Sequence, residues 1–111
     1  MGGALGDLLG RELERFELEH PRSRELSKQA ETSLLAGVPM PWMIRWAGGF
    51  PVFAATAEGA RFRDVDGHEY IDFCLGDTGA MTGHSPEATV RAVSEQAGRG
   101  ITLMLPSEDA L

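Results

Sequence analysis

The sequence has 111 residues, 42% of them hydrophobic, and a formal net charge of −7. This length is that of one small domain, the apolar content excludes a disordered tail, and an acidic chain without a run of Lys or Arg is a poor nucleic-acid binder. The single cysteine excludes an internal disulfide. Because no apolar run reaches the roughly 20 residues of a membrane span and the start is too acidic for a signal peptide, we predict a cytoplasmic protein without a membrane partner.

Two helices are predicted in residues 1–37. Five apolar side chains within residues 5–16 recur at helical spacing with charged residues between them, which indicates an amphipathic helix that ends near His20-Pro21. A second helix is predicted over residues 23–35, with Gly37 as its stop. The polar side of the first helix is acidic, so we expect its apolar face to pack against protein, for example a partner subunit, and not against lipid.

Residues 38–53 are predicted to be irregular, because three prolines and two adjacent glycines exclude a continuous helix or a central strand. In one interpretation the two tryptophans of this segment fill the core. In the other, the segment lines a substrate pocket, with Trp42 as an aromatic wall and Arg45 as a clamp, because a guanidinium matches a carboxylate at two points. An exposed charge or an ordinary ion pair is the competing interpretation of Arg45.

A small antiparallel sheet is predicted next. A first strand over residues 50–57 is followed by a turn at Glu58-Gly59, and a hairpin pairs residues 60–65 with 68–73 around Asp66-Gly67, a dipeptide typical of tight turns. The predicted fold class is therefore α+β, with N-terminal helices and a small three-stranded antiparallel sheet.

A glycine loop and a third helix are predicted after the sheet. Gly76, Gly79 and Gly83 punctuate a run of small residues that suits neither strand nor helix. Ser85-Pro86 is typical of a helix start, with Ser at the N-cap and Pro at the first helical position, and the helix is expected to end at Ala97.

The last residues predict an extended run over 101–105 and a new helix start at 106–109, a Ser cap followed by two acids. The sequence ends at Leu111, less than one turn later, so we expect that the chain has been truncated. Four parts result: N-terminal helices at 1–37, an irregular Pro/Trp segment at 38–53, the sheet at 54–74, and the glycine loop with the start of a larger domain at 75–111.

Few residues of the sequence suggest chemistry. Lys28 is the only lysine, and it lies in a charged helix. The three histidines and Cys74 lack the sequence spacing of metal ligands, so no metal site is predicted. The aspartates of the hairpin are interpreted as turn and strand residues. Asp77 is a candidate site residue, with an Asx turn in its own loop as the competing interpretation.

Residues 64–73, DVDGHEYIDF, followed by GDTGAMTGHSP at 76–86, resemble the N-terminal part of class III pyridoxal-phosphate aminotransferases. The pattern is that of the branch with glutamate-1-semialdehyde aminomutases and β-amino-acid aminotransferases: a short sheet carrying D-x-D-G-x-x-Y-x-D, a glycine loop ending in G-H-x-x-P, then a helix. Pro86 here comes one residue closer to His84 than in many relatives. The resemblance runs from about Arg22 to the last residue. The positions that fit are Asp64, Asp66, Gly67, Tyr70, Asp72, Gly83 and His84.

The resemblance implies part of a fold-type-I transferase that, when complete, moves an amino group between an amino acid and a keto acid with pyridoxal 5'-phosphate. The family's Schiff-base lysine, pyridine aspartate and main phosphate-binding turn lie downstream of the matching segment, so no catalytic or cofactor-binding residue is expected in this chain. The substrate side is expected to include Trp42, Arg45, Asp77, Thr78 and Gly79. The expected partners are the rest of the large domain and, in the complete enzyme, a second identical subunit.

The alternative is a non-catalytic truncated product, or a small interaction module whose exposed apolar faces bind another protein. The resemblance leaves open whether the complete protein is an aminotransferase or an aminomutase, and whether it acts on α- or β-amino groups.

Overall fold

A computed structural model of the protein describes residues 3–102 and 104–108. These residues form three α-helices, a three-stranded antiparallel sheet and three short 3-10 turns, so the predicted α+β class is confirmed. The helices are α1 (Ala4–Glu19), α2 (Pro21–Ala30) and α3 (Glu87–Ala97); the strands are β1 (Ala54–Glu58), β2 (Arg61–Asp64) and β3 (Glu69–Ile71); the 3-10 turns are Leu35–Gly37, Pro41–Arg45 and Leu75–Thr78.

The first helix ends before Pro21 as predicted, but the second differs from its prediction. Helix α2 begins at Pro21 and stops at Ala30, five residues before the expected end. Residues 31–33 are Glu, Thr and Ser, and the Thr32 hydroxyl donates to the Gln29 carbonyl at 2.8 Å. Such side-chain bonds compete with the helical ladder, so the chain turns here. Gly37, with φ +69°, then closes a separate 3-10 turn.

The sheet has the strand order β1-β2-β3, and both pairs are antiparallel. Strand β1 begins at Ala54 and not at residue 50, because Pro51 has no amide hydrogen for the ladder. The hairpin loop holds three residues, 65–67, and not two: the Asp64 amide donates to the His68 carbonyl at 3.0 Å, and within the loop only Gly67 has a positive φ, +97°. The antiparallel pairing of the two strands is as predicted, but the longer loop shifts the register by one residue, so that Arg63 pairs with Glu69.

Helix α3 begins one residue later than predicted, and Ser85 does not cap it. Pro86 occupies the N-cap position, while Ser85 has a φ of +52° and its hydroxyl donates to the Ala57 carbonyl at 2.9 Å. Ser85 therefore ties the helix start to strand β1. The described part of the extended run expected at 101–105 is not a strand. Leu103 in this run lies outside the described residues. Residues 109–111 also lie outside them, and they include the end of the expected helix start at 106–109.

The described chain is elongated, with extents of 65 × 30 × 22 Å. Its radius of gyration is 18.9 Å, against about 13 Å for a compact chain of this length. Among the described residues Val38 is the single buried hydrophobic side chain, whereas Leu5 is 79% exposed and Val93 59%. The segment therefore buries little apolar surface against itself.

Both tryptophans of the irregular segment are exposed, Trp42 by 59% and Trp46 by 44%. The interpretation in which they fill the core is wrong for this chain, because no second layer of described residues covers them. In the described part of the chain, no helix combines the length and the apolar character that crossing a membrane requires.

Candidate functional site

A buried carboxylate, Asp64 at the end of β2, organises the hairpin. Its exposure is only 2%. Oxygen Oδ1 accepts hydrogen bonds from the backbone amides of Asp66 and His68 at 2.9 and 2.8 Å, and Oδ2 accepts from the Tyr70 hydroxyl and His68 Nδ1 at 2.9 and 3.0 Å. Burial raises the pKa of Asp64, but the bonds from His68 and Tyr70 outweigh it, so the pKa lies below its ordinary value.

His20 connects this carboxylate to the joint between α1 and α2. The His20 ring is buried and stacks on Phe16, with ring centroids 4.3 Å apart. Its Nδ1 donates to the Phe16 carbonyl at 2.8 Å, while Nε2 lies 2.8 Å from the Tyr70 hydroxyl and 3.6 Å from Asp64 Oδ2. Burial and the bond to Asp64 raise the pKa of Tyr70 to about 12. His20 therefore forms one polar cluster with Asp64, His68 and Tyr70, which lie 44 or more positions further along the sequence.

Asp66 caps helix α2 from across the fold. Its two carboxylate oxygens accept hydrogen bonds from the backbone amides of Arg22 and Ser23, at 2.7 and 2.9 Å. These amides belong to the first turn of α2, where backbone N–H groups have no acceptor within the helix. Burial raises the pKa of Asp66, but the bonds from Ser23 and Arg22 more than compensate, and the pKa is lowered. One carboxylate thus fixes the angle between α2 and the hairpin.

Asp72 and His84 anchor the two ends of the glycine loop. Asp72 Oδ1 accepts from the amides of Cys74 and Leu75 at 2.8 and 2.9 Å, and Oδ2 contacts His84 Nε2 at 2.6 Å. The His84 bond is the largest of the causes that lower the pKa of Asp72. His84 and Gly59 exchange two backbone hydrogen bonds of 2.8 and 3.0 Å. The loop is therefore held against the sheet at both ends.

Gly83 makes this close approach feasible. Gly83 has φ +92°, and a Cβ there would lie 3.2 Å from the Gly59 Cα, closer than ordinary packing permits. The expectation that the loop glycines serve backbone bends and close packing thus has a specific basis at Gly83.

The predicted substrate residues of the loop lie on the 3-10 turn Leu75–Thr78 and directly after it. Four consecutive residues there have positive φ: Leu75 (+48°), Gly76 (+63°), Asp77 (+57°) and Thr78 (+132°). Three of them are not glycine, so the turn is strained. Asp77 does not form an Asx turn, since that role falls to Asp72. Asp77 Oδ1 instead accepts a weak bond from Cys74 Sγ at 3.4 Å.

The other predicted substrate residues, Trp42 and Arg45, lie together on the exposed 3-10 turn Pro41–Arg45. Within residues 3–102 and 104–108, Arg45 takes part in no ion pair. The competing interpretation of Arg45 as a member of an ordinary ion pair therefore has no support in this part of the chain. Among the same residues no hydrogen bond joins this turn to Leu75–Thr78. The two predicted halves of the substrate site stay separate here.

The residues present do not fit covalent attachment of a pyridoxal cofactor. Lys28 is the sole lysine of the sequence, and it is exposed on α2. The glycine loop carries no lysine or arginine to meet a phosphate.

Sequence spacing missed the cluster of His20, Asp64, His68 and Tyr70, because His20 is remote in the sequence. A signal was nevertheless present. Residues 64–70 place one carboxylate, Asp64, and two side-chain donors, His68 and Tyr70, within a single hairpin, and a buried carboxylate needs such donors.

The chain is similar to proteins of known activity. The glutamate-1-semialdehyde 2,1-aminomutase of Methanosarcina acetivorans is 35% identical over 92 residues, covering 83% of this chain and 21% of the relative. A glutamate-1-semialdehyde aminomutase from Pseudomonas aeruginosa PAO1 superposes with a TM-score of 0.86 at 47% identity, over 95% of this chain and 23% of that one. A K-to-A variant of that enzyme is known in complex with PMP. A β-phenylalanine aminotransferase from Variovorax paradoxus superposes with a TM-score of 0.81 at 29% identity, over 94% and 24%.

No protein-family model matches the sequence. The chain spans about a fifth of the length of the curated relatives that it matches. Over most of this chain, the similarities in sequence and structure confirm the resemblance carried by residues 64–86.

Proposed function

Because the chain belongs to the class III pyridoxal-phosphate aminotransferases, whose N-terminal segment it matches, we propose that it forms this segment of an enzyme that transfers an amino group from an amino acid to a keto acid, or moves it within one substrate. One observation carries the proposal: 95% of the chain superposes on the Pseudomonas aeruginosa aminomutase with a TM-score of 0.86 at 47% identity. In the complete enzyme pyridoxal 5'-phosphate supplies the covalent chemistry.

The role of this chain is to shape the substrate side. The strained turn at Leu75–Thr78 presents Asp77 and Thr78, with Gly79 directly after it, on a loop whose ends are anchored by Asp72 and His84. A strained, anchored loop is a common way to hold backbone and polar atoms toward a ligand. The exposed Arg45, beside Trp42, would bind a substrate carboxylate once the rest of the enzyme brings the two turns together.

The exposed apolar faces give the rest of the enzyme a surface to cover. Leu5, Leu9 and Val93 are each more than half exposed. Apolar surface of this extent is normally buried against protein. We therefore propose that the large domain and a second subunit of a homodimer cover these faces. The same faces favour the second candidate, an interaction module, and the single exposed Cys74 fits a reducing cytoplasm.

A segment exchange tests the proposal. This chain replaces the matching segment of the Pseudomonas aeruginosa aminomutase, and cofactor absorbance and aminomutase activity are measured. The control is the same enzyme with the segment deleted. We expect the chimera to retain the bound-cofactor spectrum and activity at least tenfold above the deletion.

Two outcomes contradict the proposal. One is a chimera that fails to hold cofactor. The other is a chimera that holds cofactor but is no more active than the deletion, because the segment would then supply packing alone, as an interaction module does.

A further inference from the structure

We propose that His20, Asp64 and His68 form a binding site for a divalent transition-metal ion of the Zn²⁺ class. The ligand atoms are His20 Nε2, Asp64 Oδ2 and His68 Nδ1, and all three lie within 4.8 Å of one another. One comes from the joint between α1 and α2, and the other two come from the hairpin. A bound ion would therefore join these two parts of the fold. Nothing in the proposed amino-transfer function requires it.

The spacing of the ligand atoms suits a small ion. Zn²⁺ binds imidazole nitrogen and carboxylate oxygen at about 2.0–2.2 Å in tetrahedral geometry, which separates neighbouring ligand atoms by about 3.4 Å. Asp64 Oδ2 lies 3.0 Å from His68 Nδ1 and 3.6 Å from His20 Nε2. The two histidine nitrogens lie within 4.8 Å of each other and have to approach the ion, and the His68 side chain, 39% exposed, has room to move.

Hydrogen bonds already orient two of the three ligands, His20 and Asp64. His20 Nδ1 donates to the Phe16 carbonyl, which orients the ring so that Nε2 faces the Tyr70 hydroxyl and lies 3.6 Å from Asp64 Oδ2. Asp64 Oδ1 accepts two backbone amides, which fixes the carboxylate, and Oδ2 faces the Tyr70 hydroxyl and His68 Nδ1. Outer partners of this kind are typical of protein metal sites, where they set the tautomer and the ring orientation.

Tyr70 completes the arrangement. Its hydroxyl lies between His20 Nε2 and Asp64 Oδ2, at 2.8 and 2.9 Å. On metal binding the hydroxyl gives up its contact with His20 and keeps its bond to Asp64. His20, His68 and Tyr70 line, together with Trp46, a groove of about 490 Å³ beside α1, through which an ion would reach the site.

The donor set selects the class of ion. Two imidazole nitrogens and one carboxylate suit Zn²⁺, Co²⁺ or Ni²⁺, whereas Mg²⁺ and Ca²⁺ prefer oxygen ligands. Elsewhere in the described chain, the His84–Asp72 pair has one histidine and one carboxylate, at 2.6 Å, and lacks the third ligand. This pair serves as an internal control for adventitious binding to a histidine beside an aspartate.

The test titrates the complete 111-residue chain, freed of metal by chelation, with Zn²⁺, and measures stoichiometry and thermal stability. We expect one ion per chain and a rise in the melting temperature. His68→Gln, at a half-buried position, should weaken binding about 10–100-fold and remove the stabilisation. His84→Gln should bind as the parent does.

The visible absorption of bound Co²⁺ provides a second measurement of the site that does not depend on thermal stability. Co²⁺ in the parent and in His84→Gln should give the visible absorption of a tetrahedral site, and His68→Gln should lose it. Mg²⁺ in excess should not compete. The site is overturned by the absence of stoichiometric Zn²⁺ binding, by parent-like binding in His68→Gln, or by equal losses in His68→Gln and His84→Gln.

Discussion

The joint between the N-terminal helices and the hairpin differs sharply from the outer faces of α1 and α3. At the joint, His20, Ser23 and Asp64 are buried, and no buried side-chain nitrogen or oxygen in the described part of the chain lacks a hydrogen-bond partner. On the outer faces, by contrast, leucines and valines are exposed. The polar joint sets the shape of the segment, while the apolar faces contribute to stability only when other protein covers them.

The largest expected effect comes from breaking the joint. Asp64→Ala leaves four hydrogen-bond donors without their acceptor, and removing one partner of a buried polar pair costs roughly 3–5 kcal/mol. We expect hydrogen exchange of the hairpin amides in the chimera to accelerate by about 100-fold or more. Arg63→Ala, an exposed position on the same strand, is the control and should leave exchange unchanged. Exchange in Asp64→Ala that matches the control would show that the cluster does not hold the hairpin.

The next effect concerns an exposed turn. In the chimera, Arg45→Ala should raise KM for the amino substrate by about one to two decades, since a charge-assisted bond to a carboxylate contributes roughly 1.5–3 kcal/mol. The cofactor absorbance should not change.

Arg45→Lys is the matched variant, and it should fall between the parent and the alanine variant, because an ammonium keeps the charge but not the two-point geometry. An unchanged KM with a lowered melting temperature would make Arg45 a structural residue.

The sequence predicted the three α-helices and the three sheet strands of the described residues in their order, because periodicity, prolines and turn residues are local signals. It did not predict the cap of α2, because Asp66 reaches Arg22 and Ser23 across 44 and 43 positions. For the same reason sequence spacing argued against a metal site, whereas the fold brings His20 next to Asp64. At Ser85 the local sequence predicted an N-cap, but the Ser85 hydroxyl bonds to β1 instead.

A smaller effect is expected from the long-range cap. Asp66→Ala should destabilise α2 by about 1 kcal/mol, the usual contribution of an N-cap residue. Exchange at the Arg22 and Ser23 amides should accelerate about fivefold, while the sheet stays protected. Asp66→Asn retains one acceptor oxygen and should lose less. Unaltered exchange at both amides would remove Asp66 from this role.

The smallest effect is a pH dependence of the glycine loop. The pKa of Asp72 lies below its ordinary 3.8, chiefly because of the bond to His84. The anchoring is therefore fully present above that pH and is lost as the pH falls through the lower pKa of the folded state. The amide NMR signals of Cys74 and Leu75 should shift over this acidic range in the parent. In Asp72→Asn these shifts should be absent, and an identical titration in both proteins would exclude Asp72 as their cause.

The contrast between a self-sufficient joint and uncovered faces is tested most directly by hydrogen exchange on the isolated chain and on the chimera, measured side by side. We predict that amides of the hairpin and the start of α2 are protected in both proteins. Amides of α1 and α3 should gain strong protection only in the chimera, where other protein covers their apolar sides. Equal protection of α1, α3 and the hairpin in a monomeric isolated chain would contradict the account, because the segment would then be stable without a covering partner.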